Sequence, residues 1–291
     1  MQRSLEFYGD LLGLAQVKRN KTAAGLSSTG KTPYVLIIEE AEGAKPKPRA
    51  STGLFHIALR LPNRTSLAKT LVRLLESGWP LQGASDHAVS EAIYLADPDG
   101  NGVELYCDRP EDEWPRANAQ IEMTTGRLDI DNLLATIQSA DETKDRSNGG
   151  GTDLGHIHLQ GSDLAKARHF YHETLGMDVM QENYPGALFM AAGGYHHHLG
   201  VNTWNSAGGA PAAADTVGLA SFALQIPDEG NWYVLQERLN ERGHKPIKAR
   251  DYGYATGVQY SDPDENLVEL FIDKAALSGK TGTNLEVEIV L

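Results

Sequence analysis

Two histidines and one glutamate are the residues whose types and settings point most directly to chemistry. His56 and His156 stand in matching alternating runs, FHIAL and GHIHL, a pattern typical of β-strands. His158 shares a strand face with His156, but the match of the two runs selects His156. Glu104 stands in the apolar run VELYC, where an unpaired carboxylate is costly to bury. It needs either a cationic partner or a metal ion, although a lone strand histidine is more often a hydrogen-bonded core residue than a ligand.

A tight turn fixes the place of Glu104 in its strand. The segment from Asp97 to Gly102 reads Asp-Pro-Asp-Gly-Asn-Gly and joins the strand-like runs EAIYLA and VELYC. Asp-Pro and Asp-Gly steps favour tight turns, so the stretch predicts a β-hairpin with Glu104 in the middle of its second strand.

The chain contains two copies of one pattern. Tyr8 recurs as Tyr171 and Glu104 recurs as Glu269, each within matching motifs and at a nearly constant displacement along the chain. Each half again contains an alternating strand, a helix and further strands, twice over. We therefore predict an α+β fold of four βαβββ repeats that form two domains. Repeat one ends near residue 40, and repeats two, three and four cover about 51–108, 152–205 and 216–274.

These repeats divide the chain into modules at 1–108 and 152–274, a connector at 109–151 and a C-terminal segment at 275–291. The connector is rich in proline and charge and has a short helical pattern from Asp129 to Gln138. It ends in Ser-Asn-Gly-Gly-Gly, which is typical of a mobile linker.

Repeat one lacks the opening strand that the other three have. The segment from Leu285 to Leu291 alternates cleanly as a strand, and no helix follows it. One hypothesis is that this C-terminal strand fills the empty place, as in a circularly permuted chain. The alternative is an added edge strand, with the first strand supplied from outside this sequence.

The pairing of the repeats decides whether a metal site can form. If the repeats pair in chain order, repeats one and two contribute His56 and Glu104 without a third ligand. Repeats three and four then contribute His156, Glu269 and Ser221. Pairing repeat two with repeat three brings His56, His156 and Glu104 together. Two imidazoles and one carboxylate with open positions form the facial triad of non-haem Fe(II) oxygenases, so we expect a metal site between repeats two and three.

Composition narrows the class of partner. The net charge of −13, from 39 acidic and 26 basic residues, argues against nucleic acid and anionic membranes, which require clustered cations. The single cysteine, Cys107, excludes an intrachain disulfide and follows a strand, so it is a packing residue rather than a nucleophile. Without an 18-residue apolar run or a signal peptide, the sequence predicts a soluble cytoplasmic protein with a small-molecule substrate.

Five motifs together resemble the glyoxalase/bleomycin-resistance/extradiol-dioxygenase superfamily, also called vicinal oxygen chelate, and within it the bacillar catechol 2,3-dioxygenase subgroup. They are LEFYGDLLGL, FHIALRLP, HAVSEAIYLADPDGNGVELY, GHIHLQGSDLAKARHFYHETLGM and GGYHHHLGVNTW. The resemblance covers nearly the whole chain and implies oxygen-dependent cleavage of an aromatic diol at Fe(II), with Mn(II) as the alternative ion. The missing first strand and Ser221 depart from the pattern, but both belong to repeats one and four.

The resemblance also implies residues that move protons. In the family a tyrosine lies ten residues before the ligand glutamate, as Tyr94 does here, and a pocket histidine precedes it, as His87 does. An acid/base histidine is expected in the run at 196–198, which we place in a strand, so that alternation puts His196 and His198 on one face. His198 is the first choice and His196 the second, although such a run could also bind a metal by itself or be a solvated strand end.

Three functions fit these observations. The first is an extradiol dioxygenase with an aromatic diol and O2 as partners. The second is a glyoxalase-like lyase or isomerase with Zn or Ni, which would normally have a fourth protein ligand. The third is a metal-free module that binds small molecules. A homodimer is expected from related folds and short edge strands.

Overall fold

The computed structural model describes residues 1–117, 120–139, 151–277 and 287–290, and the chain divides into two units. The first unit holds Met1–Pro46 and Leu54–Ile157, and the second holds Lys47–Gly53 and His158–Leu291. The boundary between the two units falls inside a strand, after Ile157. The division at 1–108, 109–151, 152–274 and 275–291 stays a prediction about modular organisation.

The first unit contains both helices and strands. Its helices are α1 (Gln2–Leu5), α2 (Arg64–Ser77) and α3 (Ile130–Leu134), with a π-helical turn at Glu6–Leu11 and a 3-10 turn at Glu111–Glu113. Its strands are β1 (Ala15–Arg19), β2 (Ala23–Ser27), β3 (Leu36–Glu39), β4 (Gly53–Arg60), β5 (Leu81–Asp86), β6 (Ser90–Ala96), β7 (Gly102–Asp108), β8 (Arg116–Ala117), β9 (Gln120–Ile121), β10 (Gly126–Arg127) and the start of β11 (Asp153–Gln160).

The second unit has the same kind of elements. Its helices are α4 (Leu164–Arg168), α5 (Glu229–Glu241) and α6 (Lys274–Leu277), with a π-helical turn at His169–Thr174. Its strands, after the end of β11, are β12 (Asp178–Gln181), β13 (Ala187–Ala191), β14 (Leu199–Asn202), β15 (Ser221–Gln225), β16 (Lys248–Asp251), β17 (Ala255–Ser261), β18 (Leu267–Asp273) and β19 (Val287–Val290).

The predicted α+β class and its four repeats are confirmed. Repeat two runs β4-α2-β5-β6-β7, repeat three runs β11-α4-β12-β13-β14, and repeat four runs β15-α5-β16-β17-β18. Repeat one begins with α1 and continues into β1, β2 and β3, without an opening strand. The predicted hairpin is also present, since β6 and β7 pair antiparallel across the turn at Asp97–Gly102.

One sheet of the first unit carries the candidate site. Its strands lie in the order β10-β5-β6-β7-β4-β11, with β4 and β7 parallel. Successive side chains of a strand point to opposite faces. One face presents apolar side chains such as Ile57, Ile93 and Leu105, which are buried together with the α2 residues Leu67 and Leu71. The polar residues of the candidate site project from the opposite face.

The helix α2 begins and ends at residues suited to those positions. The Asn63 side chain accepts a hydrogen bond of 2.9 Å from the Ser66 amide, which caps the first turn. Gly78 follows the helix with φ 68°, the left-handed conformation that ends helices and that glycine adopts without a steric penalty. The helix is therefore held at a defined length behind the sheet.

The second unit contains two strand groups, β14-β13-β12 and β19-β15-β18-β17-β16. In the second group β19 pairs antiparallel with β15, the opening strand of repeat four. The C-terminal segment thus forms a strand, as its alternation predicted. Its proposed role as the missing strand of repeat one stays a hypothesis.

The described part of the connector, 109–117 and 120–139, contains a 3-10 turn, short strands and one short helix. The predicted helix at 129–138 is shorter, Ile130–Leu134, and the Asp129 side chain caps it by accepting a 3.0 Å hydrogen bond from the Asn132 amide. The predicted mobile end is the Ser-Asn-Gly-Gly-Gly run at 147–151, and residues 147–150 of it lie outside the described residues. Among the helices that the structure describes, none is long and apolar enough to cross a membrane.

Candidate metal centre

Three side chains converge on the polar face of the first unit's sheet. The Glu104 Oε2 atom lies 2.9 Å from His56 Nε2 and 3.1 Å from His156 Nε2. All three residues are buried, with exposed fractions of 3% for Glu104, 6% for His56 and 2% for His156. Their potential ligand atoms lie within 4.8 Å of one another. The convergence that the pairing of repeats two and three predicted is therefore present, inside a single unit.

Strand register brings the first two of these residues together. In the parallel pair of β4 and β7, His56 is opposite Gly102 and Ala58 is opposite Glu104. Glu104 comes two residues after Gly102, so its side chain lies on the same face of the sheet as that of His56. A Cβ atom at Gly102 would overlap the carbonyl oxygen of Phe55 and meet the Cβ atom of His56 at 3.0 Å. Glycine at this position allows the two strands to approach beside the histidine.

A tyrosine and a second glycine support His156. The ring centroids of Tyr106 and His156 are 5.0 Å apart, and Tyr106 is completely buried. A Cβ atom at Gly155 would overlap the Tyr106 hydroxyl oxygen. Gly155 therefore provides the space in which Tyr106 packs beside the imidazole.

The charge state of Glu104 follows from its two neighbours. Burial alone would raise the pKa of its carboxyl, but the imidazoles of His156 and His56 outweigh burial and hold the pKa well below its ordinary value. Glu104 is therefore a carboxylate at neutral pH. Two Nε2 atoms aimed at one carboxylate oxygen require either protons or a single cation between them, and this donor set fits a divalent transition metal ion.

Tyr94 and His87 lie next to this triad as a hydrogen-bonded pair. Tyr94 is directly opposite Glu104 in the β6–β7 hairpin, and its ring centroid lies 5.7 Å from that of His56. His87 Nε2 lies 2.6 Å from the Tyr94 hydroxyl, while His87 Nδ1 lies 2.6 Å from the carbonyl oxygen of Thr124. Tyr94 therefore lies in a strand of the sheet that carries the triad, and His87 lies in the turn that joins β5 to β6.

The histidine run at 196–198 lies in the second unit, and its predicted strand placement is wrong. Gly193 and Gly194 both have positive φ, 67° and 81°, which ends β13 at Ala191, and β14 begins only at Leu199. Strand alternation therefore cannot decide which histidine is available. The run forms the connection between two strands instead.

Burial and hydrogen bonding distinguish the members of this run. His196 is completely buried, and its Nδ1 atom lies 2.8 Å from Nδ1 of His197. His198 is half-buried, and its Nδ1 atom accepts a 3.2 Å hydrogen bond from the Ala192 amide. A neutral His198 therefore carries its proton on Nε2. His158, which the sequence placed second to His156, contacts Asn202 at 3.1 Å instead.

The repeat-four copy of the site is satisfied by protein groups. Glu269 accepts hydrogen bonds from the Tyr252 hydroxyl at 2.6 Å and from the Gln259 amide at 3.2 Å, and Arg250 lies 3.5 Å away. Ser221 takes the place of His56 in this copy. Burial and Glu269 raise the pKa of Tyr252 far above its ordinary value, so its hydroxyl remains a donor. The carboxylate thus has donors in place of a metal.

Cys107 is buried, as expected of a packing residue. Burial and the nearby Glu91 carboxylate raise the pKa of its thiol to about 12. The thiol is therefore protonated and unreactive at neutral pH.

The chain belongs to the Glyoxalase/Bleomycin resistance protein/Dioxygenase superfamily, whose family model matches residues 1–105 and 153–270. It is 42% identical over 248 residues to a catechol-2,3-dioxygenase of Bacillus subtilis (strain 168), covering 84% of this chain and 85% of that one. It is 32% identical over 123 residues to biphenyl-2,3-diol 1,2-dioxygenase 3 of Rhodococcus globerulus, covering 42% and 64% of the two chains. The expected likeness to catechol 2,3-dioxygenase oxidoreductases is confirmed.

Solved structures agree on the fold. A structure from Bacillus subtilis subsp. subtilis str. 168 superposes with a TM-score of 0.64 at 15% identity, covering 94% of this chain and 81% of that one. Glyoxalase I from Zea mays superposes with a TM-score of 0.54 at 16% identity, covering 93% and 88%. The predicted glyoxalase-like arrangement of repeats is confirmed.

Two contributors to the site were not found from the sequence. The Thr124 carbonyl comes from the connector, and backbone atoms leave no residue-type signal. The contact of Tyr106 with His156 is the second. The glycine directly before the histidine in GHIHL was a signal for it, because a strand-interior glycine marks close approach of another group.

Proposed function

We propose that this protein is an extradiol ring-cleaving dioxygenase that inserts O2 into a catechol-type aromatic diol, with Fe(II) held by His56, His156 and Glu104. The observation that carries the proposal is the buried convergence of two Nε2 atoms on one carboxylate oxygen, 2.9 and 3.1 Å away. Bound there, the ion would offer about three open positions for a chelating diol and O2. Both atoms of O2 enter the product, so no separate reductant is consumed. Mn(II) fits the same donors.

Tyr94 and His87 supply proton transfer in this proposal. Tyr94 is opposite Glu104, so its hydroxyl projects from the face on which a diol would be held. His87 contacts that hydroxyl at 2.6 Å and can take a proton from it. The pair would therefore remove a proton from the diol as it binds.

His198 is proposed as the general acid, ahead of His196. Its Nδ1 atom accepts the Ala192 amide proton, which leaves Nε2–H as the donor of the neutral ring. His196 is completely buried, so it is not available to a substrate in this conformation. His198 would return a proton to the cleaved ring.

The metal-ligand set favours an oxygenase over a lyase. Among the described residues, the group that could hold a metal has three members, and no fourth histidine, cysteine or carboxylate joins it. A glyoxalase-like lyase would normally use a fourth protein ligand. A homodimer and a cytoplasmic location remain predictions from the sequence.

The test is anaerobic reconstitution with Fe(II), followed by a panel of catechols and O2. We expect one iron per chain, oxygen uptake and a yellow ring-opened product. His56→Ala, His156→Ala and Glu104→Gln should each lose bound iron and activity together. Glu269→Gln is the matched control, because the same change in the repeat-four copy should leave iron content and uptake intact.

Two other results would replace the proposal. Failure of oxygen uptake with every diol, together with tight binding of Zn or Ni, would indicate a lyase or isomerase. Unchanged metal content and ligand binding in His156→Ala would indicate a metal-free binding module.

A further inference from the structure

We propose that the connector between the modules is a working part of the site: the backbone of Thr124 holds His87 in the Nδ1–H form, which makes Nε2 the proton acceptor for Tyr94. The inference rests on the proposed function for its catalytic consequence. It concerns a positioning role for a segment whose composition indicated only a linker.

The contact between His87 and Thr124 consists of two hydrogen bonds. The Thr124 amide donates to the His87 carbonyl oxygen at 3.2 Å, and the His87 ring contacts the Thr124 carbonyl oxygen at 2.6 Å through Nδ1. Both bonds use the backbone of Thr124, whose side chain is exposed. The position of the segment matters here, and the identity of its side chain does not.

The direction of each hydrogen bond follows from the chemistry of the carbonyl. A carbonyl oxygen only accepts, so the His87 Nδ1 atom carries the proton. A neutral imidazole has one N–H, and its other nitrogen is an acceptor. His87 Nε2 therefore accepts from the Tyr94 hydroxyl, 2.6 Å away. The Tyr94 hydroxyl thus donates to His87, and His87 donates to Thr124. The carbonyl oxygen of Thr124 sets the direction of both hydrogen bonds.

The connector holds Thr124 from both sides. Met123 and Leu128 are buried, with exposed fractions of 7% and 3%. Between them, β10 pairs with β5, placing Gly126 opposite Asp86 and Arg127 opposite Ser85. The Thr124 carbonyl is therefore held in place by this packing and by the pairing of β10 with β5, which ends at Asp86, directly before His87.

The backbone around His87 is also held by contacts that do not involve Thr124. The His87 amide donates to the Ser90 carbonyl at 2.9 Å, and Ala88 adopts φ 66°, a conformation unusual for alanine. Arg109 donates to Asp86 at 2.7 Å, and Asp86 accepts from the Ala88 amide at 2.9 Å. With this turn held, loosening the connector should change the ring's hydrogen bonding more than its location.

The repeat-four copy lacks this arrangement. In the register that matches Glu104 to Glu269, Tyr252 takes the place of His87 and Gln259 takes the place of Tyr94. There the Tyr252 hydroxyl donates to Glu269 at 2.6 Å. The imidazole–hydroxyl pair thus occurs in the repeat that the connector directly follows.

The first test reads the tautomer directly. Long-range 1H–15N spectra of the full chain with labelled histidine, loaded with diamagnetic Zn(II), report which ring nitrogen bears the proton, and His87→Gln assigns the signal. We expect a protonated Nδ1 and an unprotonated Nε2 for His87 at neutral pH. A protonated Nε2, alone or together with Nδ1, would overturn the inference.

The second test loosens the connector. Met123→Gly removes the buried side chain next to Thr124, whereas Glu122→Gly gives the same backbone freedom at an exposed neighbour. With Met123→Gly we expect loss of the single His87 tautomer and a fall in kcat of about 10-fold or more with little change in KM, since positioned acid/base groups contribute at least that much. Glu122→Gly should retain both properties.

The two tests separate this inference from the proposed function. A fall in kcat with an unchanged tautomer would make Met123 merely structural and would overturn the inference. Absence of ring cleavage with the expected tautomer would remove the proposed function and leave the positioning of His87 supported.

Discussion

Tyr8 donates a 3.0 Å hydrogen bond to the buried carboxylate of Asp97, and this bond ties the helix of repeat one to the hairpin turn of repeat two. The second unit repeats the relationship, since Tyr171 donates to Asp262 at 2.7 Å. In both copies the carboxylate also accepts from backbone amides within its own turn, such as that of Asn101 in the first. The same polar contact thus fastens a helix to a hairpin turn in each half of the chain.

Removing either hydroxyl should destabilise the unit that contains it. Tyr8→Phe and Tyr171→Phe each leave a buried carboxylate with one fewer donor, which costs about 1–3 kcal/mol. Urea unfolding should show a similar loss for the two variants. Tyr233→Phe is the control, because Tyr233 is 58% exposed, and it should leave stability unchanged. A loss in only one of the two buried variants would show that the copies are not equivalent.

The cost of Tyr8→Phe should depend on pH. Burial raises the pKa of Asp97, and hydrogen bonds from Asn101, Asp99 and Tyr8 partly oppose that rise. A carboxyl whose pKa is raised on folding stabilises the protein fully below its unfolded pKa, and this contribution is lost as pH rises through the folded pKa. Without the Tyr8 hydroxyl the pKa of Asp97 rises further, so the deficit should be smallest near pH 3 and largest near about pH 7. Equal deficits at both pH values would contradict this assignment.

The sequence predicted the triad because strand alternation and the matching positions of the opening strands in repeats two and three are strong constraints. His56 and His156 occupy matching positions in their runs, and the Asp97–Gly102 turn fixes Glu104 within its strand. Each of these inferences depends on local pattern, which backbone geometry reproduces directly. The convergence of the three residues needed one further choice, the pairing of repeat two with repeat three.

Other features had no such pattern. The π-helical turns at Glu6–Leu11 and His169–Thr174 bury adjacent aromatic residues, Phe7 with Tyr8 and Phe170 with Tyr171, which regular helical spacing does not predict. The alternation of the histidine run has no strand to follow, because Gly193 and Gly194 adopt positive φ and end β13 before the histidines. The role of the connector depends on a backbone carbonyl, which any residue carries.

Gly155→Ala should disturb the candidate metal centre through Tyr106. The added methyl group overlaps the Tyr106 hydroxyl, and Tyr106 packs on His156, so overpacking should cost about 1–3 kcal/mol and weaken metal retention. Thermal unfolding and the affinity for Zn(II) or Fe(II) measure the two effects. Tyr106→Phe removes the overlapping oxygen, so the double variant should lose less than the sum of the two single changes.

Gly83→Ala is the matched control for this prediction. Gly83 also lies in a strand of the same sheet, but a Cβ atom there has no neighbour within 4 Å. It should retain both stability and metal affinity. Strict additivity of Gly155→Ala and Tyr106→Phe would show that the methyl group acts through some other contact.

The two hairpin turns differ at one position in a way that affects stability. Gly100 adopts φ 88° in the first turn, and Glu265, at the matching position of the second turn, adopts φ 65°. A side chain in this left-handed region is disfavoured by roughly 1–2 kcal/mol, although glycine also gains freedom in the unfolded chain. Glu265→Gly should therefore stabilise the second unit by about 0.5–1 kcal/mol, and Gly100→Ala should destabilise the first by about 1–2 kcal/mol.

Chemical denaturation measures both, with Glu237→Gly as the control, because the same change inside α5 should cost about 1 kcal/mol. If Glu265→Gly were as destabilising as Glu237→Gly, the glutamate side chain would be contributing contacts that outweigh its backbone strain.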